Sequence, residues 1–309
     1  MRILVMGSGG VGGYFGGRLA QAGHDVTFIA RGAHLAALRA QGLRVQSPLG
    51  DLHLPQVRAS DDPAAGGTPD IVIFGVKLWD TAAAARALQP LLAPDSAVLS
   101  FQNGVVKDDM LREALGARHV AGGVAYIAAS IGEPGLIRHV GTMARLVFGE
   151  HDGHASERLA RFAMACAEAG ITHELSHHIR QALWEKFVFL ASVSATTTLA
   201  RLPLGPIRDH PRSRTFLHDL LEEAVQVARA EGVALPPEYA ESRLAFADGL
   251  PATMTSSMHH DLERGNRLEL PWLSGDVVAR GRRLGIATPC NRAVVDMLSL
   301  HADGRAAAA

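Results

Sequence analysis

The chain opens with MRILVMGSGGVGGYFGG over Met1–Gly17, and this stretch decides the fold. Arg2–Met6 is a short apolar run bounded by glycine, which is typical of a buried strand. Gly10–Ala22 follows with the period of an amphipathic helix. The sequence therefore predicts a strand, a glycine-rich turn and a helix at the very start of the chain.

The turn matches the pattern G-x-G-x-x-G over Gly7–Gly12. In this pattern the first glycine permits a tight turn and the second lets the backbone approach a pyrophosphate. The third lets the helix pack against the sheet, and the helix N-terminus offers N–H groups to the phosphates. The alternative is a glycine-rich turn that packs tightly without a ligand. The predicted cofactor-binding residues of this turn are Gly7, Ser8, Gly9, Gly10, Val11 and Gly12.

Strand and helix patterns alternate over the first half of the chain and then strands stop. The further predicted strands are Asp25–Ala30, Ile71–Phe74, Ala97–Ser100, Val120–Tyr126, a hairpin of Gly135–His139 and Ala144–Phe148, and Ile171–Leu175. The further predicted helices are His34–Gln41, Thr81–Leu92, Ala155–Ala169, His178–Ala200, Arg212–Glu231, Pro237–Phe246, Met254–Arg264, Leu273–Leu284 and Asn291–Leu300. This alternation indicates the α/β class. We predict a Rossmann-type parallel sheet domain over residues 1–177 and an all-helical domain over residues 178–309.

Length and composition exclude several classes of protein. The chain has 309 residues, 30 Lys and Arg against 31 Asp and Glu, and a net charge of −1, so nothing drives it toward nucleic acid or anionic lipid. No window is apolar for about 18 residues, the length that a spanning helix needs. Two cysteines cannot form a disulfide framework, which favours a reducing compartment. We expect a cytoplasmic protein, with a homodimer left open.

The end of the second predicted strand discriminates between dinucleotides. NAD sites usually have Asp or Glu at this position, where it binds the ribose 2′-hydroxyl. Here the strand ends in Ile29-Ala30-Arg31, and a guanidinium can pair with a 2′-phosphate. Arg31 therefore predicts NADP(H), the alternative being a solvated surface arginine.

We predict no metal site. His173–His177 matches H-E-x-x-H, a zinc motif that works only on a helix, where its two histidines share a face. The residues around it alternate as in a strand, so His173 and His177 are not expected to converge. The other histidines are scattered and are expected on solvated faces or at helix ends. Adjacent pairs such as His259 and His260 are expected to point in different directions.

Further segments, taken together with the glycine-rich turn, resemble the ketopantoate reductase (2-dehydropantoate 2-reductase) family over nearly the whole chain. They are Gly75-Val76-Lys77, Phe101-Gln102-Asn103-Gly104, Trp184-Glu185-Lys186-Phe187, Ser256-Ser257-Met258 with Asp261, Glu269, and Thr288-Pro289-x-Asn291. The resemblance implies NADPH-dependent reduction of a 2-oxo acid, with the cofactor between a Rossmann domain and a helical domain.

The same resemblance implies roles for particular residues. Lys186 matches the catalytic acid, and Glu269 matches the glutamate that supports the active site. Asn103 matches an asparagine near the nicotinamide and the substrate, Lys77 a cofactor-side lysine, and Ser257 a substrate-contacting serine. A lysine among apolar neighbours suits acid catalysis, because partial desolvation lowers the pKa of an amine.

This chain departs from the family on the helix of the catalytic lysine. The family pattern K-x-x-x-N-x-x-x-N places one lysine and two amides on a single helical face. Here that face has Lys186, Leu190 and Ser194, and Leu204 replaces a further asparagine before Gly205. We expect the reaction type to be kept and the substrate to be a more apolar 2-oxo acid or a related carbonyl compound. A module that binds NADP without turnover is the second function class, and the presence of both Lys186 and Glu269 favours the enzyme.

Overall fold

A computed structural model describes residues 1–305 in two compact units. The first unit contains Met1–Asn103 and Lys107–Ala182. The second contains Gly104–Val106 and the chain from Leu183 onward. The last four residues of the predicted second domain, 306–309, lie outside the described residues.

The first unit alternates strands and helices as the sequence predicts. Its strands are β1 (Arg2–Met6), β2 (Asp25–Ile29), β3 (Leu43–Gln46), β4 (Leu52–Leu54), β5 (Arg58–Ser60), β6 (Ile71–Phe74), β7 (Ala97–Ser100), β8 (Val120–Glu133), β9 (Leu136–Gly149) and β10 (Thr172–Leu175). Its helices are α1 (Gly10–Gln21), α2 (Gly32–Gln41), α3 (Thr81–Leu88), α4 (Val106–Leu115) and α5 (Glu157–Glu168).

The ten strands form one sheet in the order β4-β3-β9-β8-β7-β6-β1-β2-β5, with β10 paired to β9. Within the run β8-β7-β6-β1-β2-β5 every adjacent pair is parallel. The pairs β8–β9 and β3–β4 are antiparallel, so the sheet is mixed rather than wholly parallel. β1 lies between β2 on one side and β6, followed by β7, on the other. The strand order therefore reverses at β1.

The two faces of β1 show why this unit folds as an α/β layer. Ile3 and Val5 pack into the same cluster as Phe15 of α1. Leu4 and Met6 point to the other face and pack in a cluster with residues of α3 and α4. Both faces are therefore covered by helices, as expected for a parallel sheet.

The predicted hairpin of Gly135–His139 and Ala144–Phe148 is wrong. From Leu136 onward both segments belong to the single strand β9, which pairs with β8 along its whole length. The turn is at Pro134-Gly135, where Gly135 has φ +80°. Gly141 has φ +75° and lies in an irregularity of β9, because the pairing passes from Ala144 to Val140 while β8 advances by one residue. A left-handed glycine therefore marks a bulge here, and the Pro-Gly dipeptide marks the turn.

The second unit consists of helices, as predicted. They are α6 (Ile179–Ala200), α7 (Leu204–Asp209), α8 (Pro211–Ala230), α9 (Tyr239–Asp248), α10 (Ser257–Arg264), α11 (Ser274–Leu284) and α12 (Pro289–Leu298). In residues 176–305 no strand is present. The sequence did not predict α4, α7 or the short strands β3, β4 and β5. Within the described chain, none of the helices has the length and apolar character to cross a membrane.

Candidate active site

The glycine-rich turn after β1 has a steric requirement at its first and third glycines. Gly7 has φ +103°, and a Cβ atom there would lie 2.6 Å from the backbone N of Val76. A Cβ atom on Gly12 would lie 2.2 Å from the carbonyl O of Gly7 and 2.8 Å from Val5 Cγ1. The first glycine therefore permits a left-handed turn against the next loop, and the third lets α1 pack against β1.

The middle of the turn is open. A Cβ atom on Gly9 would have nothing within 4 Å, whereas one on Gly10 would lie 2.1 Å from the carbonyl O of Ala129. Gly9 caps α1 without a side-chain hydrogen bond to the first turn of the helix. The cap therefore supplies no side-chain acceptor to the first N–H groups of α1, and Gly9 itself faces open space. This arrangement is compatible with a bound pyrophosphate.

Ser8 links the turn to β2 and α2 by hydrogen bonds. Its hydroxyl donates to the carbonyl of Ile29 at 3.0 Å, as does its own N–H at 3.0 Å. The carbonyl of Ser8 accepts a hydrogen bond from His34 Nε2 at 2.9 Å. Ser8 is buried, so its side chain holds the turn in place and is not exposed to a ligand.

The loops that follow β6 and β7 meet the glycine-rich turn at the same edge of the sheet. Gln102, which follows β7, donates through Nε2 to the carbonyl of Val76 and to Thr81 Oγ1, each at 2.8 Å. Its Oε1 accepts a hydrogen bond from Ser100 Oγ at 2.9 Å. The segments that carry Lys77 and Asn103 are thus joined to each other, and Val76 in turn abuts Gly7.

A buried lysine that sequence reasoning missed supports the loop after β7. Lys107 is 1% exposed, and its Nζ donates to the carbonyls of Ser100 and Gly123 at 2.7 and 3.1 Å and to Asp108 at 3.0 Å. Burial lowers the pKa of Lys107, and the charge of Asp108 opposes this effect. Because the amine has three acceptors, it connects the start of α4 to the end of β7 and to β8. Only the run of charges in Lys107-Asp108-Asp109, otherwise typical of a solvated helix start, marks it in the sequence.

Arg31 is exposed at the end of β2, where the sequence predicts the 2′-phosphate. Its Nη1 lies 3.7 Å from Asp80 Oδ2. Lys77 Nζ lies 5.5 Å from the centre of the Trp79 ring. Two cations and one carboxylate therefore occupy the loops after β2 and β6.

In the second unit, α6 places Lys186, Leu190 and Ser194 on successive turns of one face, as their spacing predicts. Lys186 and Leu190 are half-buried and Ser194 is buried. Trp184 and Phe187 on the same helix are buried and contact each other edge to face, with ring centres 5.4 Å apart. Lys186 therefore lies between two buried aromatic residues in the sequence and is itself half-buried.

The other predicted substrate residues lie on α10 and on the turn before α11. Ser257 is exposed at the first position of α10, and its neighbour Ser256 bonds to Thr197 of α6 through the two hydroxyls at 3.0 Å. Glu269 is buried immediately before the short 3-10 helix Leu270–Trp272. Leu204 is completely buried at the start of α7.

Asn291, part of the family-like Thr288-Pro289-x-Asn291 segment, has a structural role. Glu223 of α8 accepts hydrogen bonds from the N–H groups of Cys290 and Asn291 and from Asn291 Nδ2, at 2.6, 2.9 and 2.8 Å. A carboxylate at the N-terminus of α12 satisfies its free N–H groups and interacts favourably with its dipole. This segment therefore joins α12 to α8.

The histidines differ in part from the prediction. His173 lies in the strand β10, so the H-E-x-x-H segment does not form a helical zinc site. Four of the remaining histidines are buried, because the fold uses their ring nitrogens inside the protein. Three of these lie at helix ends, which was one of the two expectations, whereas His139 lies within β9 and fits neither. The buried histidines are His34, His119, His139 and His259.

His259 and His260 differ in orientation and burial, as expected, since their ring planes are 86° apart and His259 is buried whereas the His260 side chain is 50% exposed. One ring nitrogen of each lies within 4.8 Å of the other and of a carboxylate oxygen of Glu263, a grouping that could hold a metal ion. His259 Nδ1 lies 2.8 Å from the carbonyl O of Thr197, and His260 Nε2 lies 2.8 Å from Thr255 Oγ1. Glu263, four residues after His259 on α10, contacts both rings, at 3.2 Å from His259 Nε2 and 3.4 Å from His260 Nδ1.

Comparison with known proteins assigns both halves of the chain. The family model described as ketopantoate reductase PanE/ApbA matches residues 3–153, and that for the ketopantoate reductase PanE/ApbA C terminal matches residues 178–302. The chain is 34% identical to a 2-dehydropantoate 2-reductase of Halobacterium salinarum, covering 97% of this chain and 98% of the relative. It is 32% identical to the uncharacterized oxidoreductase YkpB of Bacillus subtilis, over 97% and 99% of the two chains.

A solved structure agrees with these matches. The crystal structure of a PanE/ApbA family ketopantoate reductase from Ralstonia eutropha superimposes with a TM-score of 0.89 at 39% identity, covering 97% of this chain and 98% of the other. Sequence and structure thus match over both units, and the expected α/β class with a helical second part is confirmed. With its glycine-rich turn, its α6 lysine and these matches over nearly its whole length, the chain belongs to the ketopantoate reductase family.

Proposed function

We propose that this protein is an NADPH-dependent reductase of a 2-oxo acid. The observation that carries the proposal is the open glycine turn at Gly9, where the N-terminus of α1 meets the point at which the strand order reverses. Membership of a reductase family and relatives named 2-dehydropantoate 2-reductase support the same activity.

The residues of the first unit fit NADPH better than NADH. The N–H groups at the start of α1 would hold the pyrophosphate, and Arg31 would pair with the 2′-phosphate. Lys77 adds a second cation on the neighbouring loop. Asp80 opposes this preference, because its carboxylate is beside Arg31. NADPH supplies the hydride when it is bound.

Lys186 is proposed as the catalytic acid. Reduction of a ketone to an alcohol breaks the C=O π bond, and the oxygen that gains negative charge needs a proton. The Lys186 ammonium can stabilise that charge first and then donate its proton to the oxygen. We propose that Glu269 and Asn103 bind and orient the substrate or the amine, since both side chains can accept hydrogen bonds from them.

We propose that Leu190 determines the preference among 2-oxo acids. It is half-buried one helical turn after Lys186, at a position where the family pattern has an amide. Ser194 is shorter than the second amide of that pattern. Leu204 is completely buried, so we assign it to packing. A leucine next to the reacting carbonyl favours a substrate with an apolar tail over one with a hydroxyl group, because it cannot hydrogen-bond that hydroxyl.

We further propose a cytoplasmic location. Neither Cys166 nor Cys290 forms a disulfide. Burial raises the pKa of Cys166 to about 12 and, with the charge of Glu223, that of Cys290 to about 11, so both thiols stay protonated and unreactive. Small molecules rather than nucleic acid remain the expected partners at a net charge of −1. The homodimer stays a prediction that light scattering of the purified protein can test.

The test is a substrate panel that follows the absorbance of NADPH. Ketopantoate is compared with 2-oxo acids of similar size that lack its hydroxyl group. We expect turnover with NADPH and higher kcat/KM for the apolar acids. Binding of NADPH without turnover of any 2-oxo acid would contradict the reductase and favour a cofactor-binding module.

A further inference from the structure

His34 occupies an unusual place behind the glycine-rich turn. It lies in the first turn of α2 and is only 9% exposed. One ring nitrogen, Nε2, lies 2.9 Å from the carbonyl O of Ser8 in the middle of the turn. The other, Nδ1, lies 3.1 Å from the backbone N of Gly135, at the tip of the β8–β9 hairpin. A single imidazole therefore connects the dinucleotide turn to the hairpin.

The two backbone partners determine where the proton is. A backbone N–H can only donate, so Gly135 requires that Nδ1 of His34 be an acceptor. A carbonyl can only accept, so Ser8 requires that Nε2 carry the proton. The neutral Nε2–H tautomer satisfies both partners, and no other protonation state does.

The hairpin also touches the turn at a second point. The carbonyl O of Ala129 on β8 approaches Gly10 so closely that a Cβ atom there would be 2.1 Å away. The start of α1 therefore contacts β8 at Gly10, and the turn before it is hydrogen-bonded to His34 at Ser8. A shift of the hairpin would move the N–H groups that are proposed to bind the pyrophosphate.

We infer that His34 is a positioning residue for dinucleotide binding: as a neutral imidazole it fixes the glycine-rich turn against the β8–β9 hairpin, and its protonation releases this connection. The inference rests on the proposed function only in taking the turn as the cofactor site. It assigns to His34 no contact with the cofactor or the substrate.

Protonation affects the connection in one direction. An imidazolium carries hydrogen on both nitrogens, so Nδ1–H would face the N–H of Gly135 and that hydrogen bond would be lost. Burial lowers the pKa of His34 and the hydrogen bond to Ser8 partly opposes this, so the neutral form is present at neutral pH and is lost as the pH falls below the usual histidine range.

Three ion pairs involve charged residues on α2 and at the hairpin tip. Glu133 and Arg44, which flank the hairpin tip, pair at 2.7 Å. Arg31 at the start of α2 pairs with Asp80, and Arg39 further along α2 pairs with Asp61 at 3.2 Å. Since these pairs carry little net charge, we assign the pH dependence to His34 itself.

The experiment measures the Kd of NADP⁺ by calorimetry from pH 8 to pH 5 for the wild type and for His34→Gln and His34→Leu. Glutamine can still donate to the Ser8 carbonyl but does not titrate, and leucine makes neither hydrogen bond. The 2′-phosphate also gains a proton near pH 6, so the profile of His34→Gln provides the reference for that shared effect.

We expect the wild-type Kd to rise by about tenfold more than that of His34→Gln between pH 8 and pH 5, the size expected for one buried hydrogen bond. At pH 8 His34→Gln should bind within about threefold of the wild type and His34→Leu roughly tenfold more weakly. Parallel profiles for the wild type and His34→Gln would overturn the inference, as would unchanged binding by His34→Leu.

If His34→Leu does not fold, the pH profiles of the wild type and His34→Gln still test the inference. A wild type that does not bind NADP⁺ at pH 8 would contradict the proposed cofactor site. That result differs from one in which NADP⁺ binds but its affinity does not depend on the protonation of His34.

Discussion

Gly9→Ala is the substitution that separates cofactor binding from folding most sharply. Gly9 has φ −74°, which any residue adopts, and an added Cβ atom would meet no other atom within 4 Å. The methyl group would project into the space where the pyrophosphate is proposed to approach. The substitution should therefore leave the fold unchanged and weaken NADPH binding.

The size of both effects can be worked out from the turn. Alanine gains about 0.4–1 kcal/mol by restricting the unfolded chain, and as a helix N-cap it loses a similar amount relative to glycine, so the free energy of unfolding should change by less than about 1 kcal/mol. If the methyl group displaces the phosphates from two N–H groups of α1, the loss is roughly 3–6 kcal/mol at 1.5–3 kcal/mol for each charged hydrogen bond. The Kd of NADPH should then rise by about 10² to 10⁴, at about 1.4 kcal/mol per tenfold.

Gly10→Ala is the matched control, since its Cβ atom would lie 2.1 Å from the carbonyl O of Ala129. That contact is with backbone, so α1 or β8 must shift, at a cost of about 1–3 kcal/mol or more. Thermal unfolding and NADPH titration of both variants provide the measurements. NADPH binding by Gly9→Ala as tight as in the wild type would refute the placement of the pyrophosphate at this turn. Loss of stability in Gly9→Ala would refute the expectation that its Cβ atom meets no other atom.

Three further substitutions test the cofactor, the acid and the substrate. Arg31→Asp should lower the preference for NADPH over NADH by about 10² through loss of a charged hydrogen bond and added repulsion, while Asp80→Asn should raise it about 2–5-fold, as expected for a surface ion pair. NADH bound as tightly as NADPH by the wild type would contradict this. Lys186→Ala should lower both kcat and kcat/KM by roughly 10² or more with the Kd of NADPH unchanged; weak NADPH binding with normal turnover would place Lys186 at the cofactor instead. Leu190→Asn should shift kcat/KM toward ketopantoate by about tenfold, the scale of one new hydrogen bond, and ketopantoate as the clear best substrate of the wild type would show that Leu190 does not face it.

The strongest part of the sequence prediction concerns elements whose pattern is local. The strand Arg2–Met6, the glycine turn and the helix from Gly10 all appear where periodicity places them. The helices after residue 178 are also present, because their apolar faces repeat every three or four residues. Each of these patterns is complete within about 20 residues, so no knowledge of distant neighbours is needed.

The β8–β9 hairpin could not be placed in this way. Gly141 and Gly135 both have positive φ, and the sequence alone does not tell which of them reverses the chain. The structure assigns the reversal to Pro134-Gly135, because β9 continues past Gly141 by pairing with β8 on both sides of an irregularity. Short strands such as Leu52–Leu54 have a similar problem, since three residues contain too little pattern to distinguish a strand from a loop.

The candidate site is even harder to predict from the sequence, because some of the residues that support its loops belong to no recognisable motif. Buried backbone carbonyls in and beside the loops at the strand ends each need a donor. His34 supplies one to Ser8, Gln102 one to Val76, and Lys107 two to Ser100 and Gly123. None of these side chains belongs to the glycine pattern, and the carbonyls that they satisfy are between 7 and 26 residues away in the chain. The glycines leave space for the proposed dinucleotide, and the donors behind the loops fix the shape of that space, so substitutions of these donors should alter cofactor affinity without touching the cofactor.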